Sequence, residues 1–125
     1  MQRSFTYNGA TITLHRRRNA DQLDAELIVA LLTNDVDRNN LRGFTRRWHR
    51  AKTFAVMLAS IDSVEGDPGF PIPSPDDTEA DLRAGFDAWL NENGFYDAWL
   101  VALNAVNAPV GDPDTAPGVD DLPNA

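Results

Sequence analysis

The stretch Asn40–Ile61, NLRGFTRRWHRAKTFAVMLASI, does most to limit what this chain can fold into. Its Leu41, Phe44, Trp48, Ala51, Ala55 and Leu58 recur at alternating steps of three and four, so a helix gathers them into one apolar stripe that the rest of the chain has to cover. The other flanks carry Arg42, Arg46, Arg47, His49, Arg50 and Lys52, and beyond Lys52 the only further Lys or Arg is Arg83. The net charge of −8 is therefore strongly polarised along the chain. Residues 1–52 hold ten Lys/Arg against five Asp/Glu, a balance of +5, while residues 53–125 hold one against fourteen, a balance of −13. An acidic total argues against general nucleic-acid affinity, because phosphate repels the molecule as a whole, but it leaves a local basic face intact.

Before the central helix, Ser4–Tyr7 and Ala10–Leu14 flank Asn8-Gly9, the dipeptide that best tolerates the two positive φ angles of a type I′ turn. That turn pairs Tyr7 with Ala10, Phe5 with Ile12 and Arg3 with Leu14, which sets the apolar side chains on one face and Thr6, Thr11 and Thr13 on the other. A two-stranded ribbon is marginal alone, so helices or another subunit must cover it. After Arg16-Arg17-Arg18, Asn19 reads as an N-cap with Gln22 three residues on. Leu23, Leu27, Ala30 and Leu31, with Ile28 beside them, read as the buried stripe of the first helix.

Past the central helix, which should fade near Ser60–Ser63, VEGDPGFPIP combines three Pro with two Gly and excludes helix. Phe70 and Ile72 should tack this loop to the core. Ser74-Pro75-Asp76-Asp77 reads as the N-cap, proline and acidic first turn of a third helix. Leu82, Phe86, Trp89 and Leu90 form its stripe, and Gly94 is its stop. Gly85 on that stripe weakens the helix by about 1 kcal/mol relative to Ala, which points to an element packed closely against it. Phe95, Trp99, Ala102, Leu103 and Val106 make a fourth helix, expected to fold back on the third as an acidic hairpin. From Ala108 the chain holds four Pro, two Gly and four Asp with no aromatic or basic residue, the composition of a mobile acidic tail. The expected fold is thus α+β and mainly α. Residues 1–107 form one globular domain, with a hairpin over 3–15 and helices over about 20–33, 39–61, 75–93 and 95–107, followed by a disordered tail over 108–125.

Chemistry is sparse. There is no Cys, and His15 and His49 lie on different elements without metal-ligand spacing. No phosphate loop, GxSxG or dinucleotide fingerprint is present, so no catalytic residue, cofactor or metal is assigned and a non-enzymatic role is expected. The start of the chain lacks the uninterrupted apolar segment of a secretory signal and no run suits a membrane span, so a cytoplasmic location is expected. Two features suit binding. Arg38, Arg42, Arg46 and Arg50 stand four apart and can align guanidinium groups for carboxylates or phosphates. Phe86, Trp89, Phe95, Tyr96 and Trp99 supply either core or an apolar groove for a partner's helix.

The order of these features, FTYNGATITL, a helical middle, the VEGDPGFPIP break, then FDAWLNENGFYDAWLVALNAVNAP and a Pro/Asp-rich end, resembles the tail assembly chaperones of long-tailed bacteriophages. The resemblance implies a small non-enzymatic protein in the cytoplasm of the bacterial host. Such a protein binds the aggregation-prone tape measure protein and delivers it for polymerisation of the tail tube protein; many members of the family also have a longer frameshifted product, and the resemblance implies that this chain would correspond to the short form. On that reading Trp89, Phe95 and Trp99 line the groove, while Arg42, Arg46 and Arg50 supply charge complementarity. The dense Arg cluster departs from the family pattern. It supports the alternative of a small connector or regulatory protein that binds nucleic acid through the Arg38–Lys52 face. An exposed ribbon edge also leaves homo-oligomers open.

Overall fold

The computed structural model describes residues 2–108. The architecture is α+β and mainly helical: strands β1 (Gln2–Tyr7) and β2 (Ala10–His15), helices α1 (Asn19–Thr33) and α2 (Leu41–Ser60), strand β3 (Ile61–Glu65), then α3 (Glu79–Leu90) and α4 (Phe95–Val106). Apart from Ala108, the expected acidic tail lies outside the described residues.

The N-terminal hairpin has the expected register, Tyr7 opposite Ala10, Phe5 opposite Ile12 and Arg3 opposite Leu14. Asn8 and Gly9 take φ of 50° and 84°, the positive values that a two-residue turn demands. Ala10, Ile12 and Leu14 are fully buried. The ribbon is not left as a pair. β3 adds antiparallel to β2, giving the order β1-β2-β3 with β2 in the middle. The stretch read as the fading end of the central helix is this third strand, which follows α2 without a linker.

Two apolar stripes differ from the sequence reading. On α1, Leu23 and Leu27 are 67% and 57% exposed, and the buried residues are Asp21, Ala25, Ile28, Val29, Leu32 and Thr33. The helix carries apolar side chains on two faces, so periodicity alone could not choose its rotation. Buried Asp21 goes with the inward face, because it accepts from His15 at the end of β2 (3.0 Å), from the Arg18 backbone N–H (2.9 Å) and from the Arg18 guanidinium (2.9 Å). The N-cap is accordingly Arg18, one residue before Asn19. On α2, the expected stripe is buried only from Ala51 onward. Leu41 is 74% and Trp48 37% exposed, and Phe44 is half-buried with the Arg38 guanidinium 5.0 Å over its ring. A 20-residue helix is about 30 Å long and outruns the core.

The C-terminal half of α2 forms the centre of the buried cluster through Phe54, Ala55, Met57 and Leu58, with Leu82 and Phe86 of α3 and Phe95, Trp99 and Val106 of α4. Phe70 joins this cluster and Ile72 packs against it, so the proline loop is fixed as expected. The loop lies on α3 at Gly85, where a Cβ would come within 2.5 Å of the Pro73 ring. α3 starts later than expected. Ser74 and Asp77 close a turn of their own, and Thr78 caps the helix by accepting from the Asp81 N–H at 3.2 Å. α3 stops at Leu90, and Gly94, with φ of 91°, is the N-cap of α4. The two do not form the expected hairpin: α4 packs mainly on β1 and β2, whereas α3 packs on α1 and α2.

Candidate protein-binding groove

Where α2, the end of α3 and the start of α4 approach one another, His49, Arg50, Thr53, Trp89, Leu90, Glu92, Phe95 and Tyr96 line an open groove of about 340 Å³. Trp89 is half-buried. Its ring lies 5.4 Å from Phe54 and stacks on Phe86 at 6.3 Å, so one part is anchored in the core and the remainder faces outward. Tyr96 and Leu90 are 44% and 40% exposed. His49 and Arg50, both exposed, contribute from α2, and Glu92 contributes from the α3–α4 linker.

The linker is held in place from beneath. The Tyr7 hydroxyl donates to Glu92 Oε1 at 2.7 Å and approaches the Asn93 carbonyl at 2.9 Å. The hydrogen bond to Glu92, with burial and the nearby negative charge, raises the Tyr7 hydroxyl above its ordinary pKa. Beneath the linker, Phe95 is fully buried and meets Phe5, Tyr7 and Phe70 edge-on at centroid distances of 5.6, 5.0 and 5.1 Å. Such edge-to-face contacts strengthen a core beyond its buried area.

The six binding residues expected from sequence are thus divided. Trp89 and Arg50 meet in the groove. Phe95 contributes to its lining from a fully buried position, and Trp99, 3% exposed, is core, donating from Nε1 to Ser60 Oγ at 2.8 Å. Arg42 and Arg46 are exposed further up α2, outside the groove lining but in the row that ends at Arg50. Among the described residues, no carboxylate lies within ion-pair distance of Arg38, Arg42, Arg46 or Arg50. Tyr96, one of the five aromatics read as core or groove, is on the groove side, whereas Leu90, His49 and Glu92 were missed, because their place depends on how the linker brings α3 and α4 to α2.

Two other arginines are structural. Arg47 donates to the Leu32 carbonyl at 3.0 Å, and Arg83 donates to the Leu31 carbonyl at 2.8 Å and to Asn34 Oδ1 at 2.6 Å. Both also approach Asp35, at 3.6 and 3.4 Å. The last carbonyls of a helix lack intrahelical donors, and here α2 and α3 supply them to α1. The histidines differ in setting: His15 is buried between Asp21 and Asp62, and His49 is exposed at the groove. Among the described residues no group of three or more His, Asp or Glu is placed to hold a metal ion, and no helix is long and apolar enough to cross a membrane.

Comparison with protein-family models, curated proteins and solved structures finds no match.

Proposed function

We propose that this protein is a non-enzymatic assembly chaperone of the phage-tail type, acting in the cytoplasm of a bacterial host and binding the helical tape measure protein during tail assembly. The observation that carries this reading is the groove itself: exposed faces of Trp89, Leu90 and Tyr96 beside Arg50, at the end of an arginine row without carboxylate partners among the described residues. An amphipathic client helix would set apolar side chains on the rings and acidic ones along Arg50, Arg46 and Arg42. Four-residue steps on α2 space those guanidinium groups about 6 Å apart along the axis, the spacing of side chains at i, i+4 on a client helix running alongside. The net charge of −8 would keep a complex with an aggregation-prone client dispersed.

The test is co-expression with a tape measure protein, scoring the client that stays soluble and co-purifies at low and high salt. Salt-resistant co-purification that is lost in Tyr96→Ala and Arg50→Glu, with both variants folded, supports the reading. The arginine row, without carboxylate partners among the described residues, also favours a second reading, nucleic-acid binding. Under it, DNA retention would fall steeply between about 50 and 200 mM salt and vanish in Arg42→Glu, while no client is retained.

A further inference from the structure

The described chain ends beside a second concavity, on the other half of α2. The Arg17 backbone N–H donates to Asn107 Oδ1 and an Arg16 guanidinium N–H to the Ala108 carbonyl, both at 2.9 Å, so the end of α4 is fastened to the segment between β2 and α1. Next to this exit is a cavity of about 280 Å³. One wall is apolar, built from Ala25, Val56, Ala59 and Leu103, and Arg17 and Lys52 add two cations. Asp21 also lines it, but its carboxylate already accepts from Arg18 and His15. Among the described residues neither Arg17 nor Lys52 has an ion-pair partner.

We propose that the acidic segment 109–125 of this same chain is the occupant of the cavity, held by attraction between its carboxylates and the cations Arg17 and Lys52. Charge complementarity is the first argument. The segment carries Asp112, Asp114, Asp120 and Asp121 and no Lys or Arg, and the site next to its origin presents two cations that have no ion-pair partner among the described residues. Reach is the second: Asp112 lies four residues beyond Ala108, so it can extend at most about 14 Å from the point where Arg16 holds the chain. Tethering at so short a distance keeps the carboxylates at an effective concentration on the order of millimolar, which makes weak contacts sufficient. Composition is the third. Pro109 next to Val110 restricts the chain at the point of entry, lowering the entropy lost on docking. The row from Arg38 to Arg50 is the competing cationic surface, but Arg38, Arg42 and Arg46 stand exposed outside the lining of both concavities.

The chain has no Cys, so a nitroxide on Thr115→Cys labels the full-length protein at one point. At about 50 mM salt, the amide NMR signals of Arg17, Gln22, Lys52 and Val56 should be paramagnetically broadened, and this should be lost at about 500 mM salt. It should be lost equally in Asp112→Asn/Asp114→Asn and in Arg17→Glu/Lys52→Glu. Broadening centred on Arg42 and Arg46, broadening indifferent to salt and to the Asp changes, or none at these amides would each overturn the proposal.

Discussion

The Tyr7 hydroxyl in β1 donates at 2.7 Å to the carboxylate of Glu92, 85 positions further along the chain. One phenol thus ties the first strand to the linker that sets the groove's edge. Replacing it by Tyr7→Phe removes this charge-assisted bond, and unfolding in urea should show a loss of about 1.5–3 kcal/mol. The pH dependence has a definite sign. The folded pKa is raised, so the contribution is complete below the unfolded value of about 10 and is lost as pH rises through the folded one. Tyr7→Phe should flatten this alkaline decline; an unchanged alkaline limb would remove the bond from the account.

Asp21 behaves oppositely. Burial opposes its charge, but hydrogen bonds from Arg18 and His15 outweigh that and hold its pKa below the usual carboxylate value. Its contribution is therefore present above the unfolded pKa of about 3.9 and is lost as pH falls through the lower folded value. Asp21→Asn should lower stability at neutral pH by about 1–3 kcal/mol and shrink the difference from wild type in that acid window. Circular dichroism of both proteins from neutral pH to strong acid checks this, and an equal difference at all pH values would contradict it.

Gly85→Ala sets two effects against each other. Helix propensity favours Ala by about 1 kcal/mol, yet the new Cβ would meet the Pro73 ring at 2.5 and 2.7 Å. Overpacking of this kind costs about 1–3 kcal/mol, and since a ring fixed in its loop cannot yield as a flexible chain end does, a net loss is expected. Pro73→Ala/Gly85→Ala should recover much of it. Thermal melts of the wild type and the two variants decide, and a stabilised single variant would mean that the loop moves aside.

Trp99→Ala would misreport binding. The ring is 3% exposed, so truncation should cost about 3–5 kcal/mol and leave Ser60 Oγ without its donor. Tyr96→Ala, at a side chain 44% exposed, should cost less than about 1 kcal/mol. Parallel urea titrations check the contrast. Comparable losses would place Tyr96 in the core.

What could be read in advance followed from local chemistry. Asn8-Gly9 fixed the hairpin register, Gly85 signalled a close neighbour whose identity, the proline loop, came only with the fold, and the spacing of Leu82 and Phe86 identified the inward face of α3. β3 was hidden by an irregularity. The register shifts between Thr13 and Leu14, so Val64 pairs with Ile12 and Ile61 with Leu14; the two apolar residues stand three apart, a helical spacing. α1 was misjudged because Leu23 and Leu27 mimic a core stripe, and only its tertiary partners fix its rotation. In the groove, Trp89 and Arg50 were identifiable by type, but the burial of Phe95 and Trp99 depends on strands and loops far away in sequence.

Ser60 ends a helix and Ile61 begins a strand, with the Ile61 N–H donating back to the Leu58 carbonyl. No spare residue lies there to absorb a rotation. The arginine-bearing helix and the strand hydrogen-bonded to β2 are therefore joined without a hinge, and under the proposed function a load taken up near Arg42 should be read as a change of amide exchange in the β2–β3 ladder.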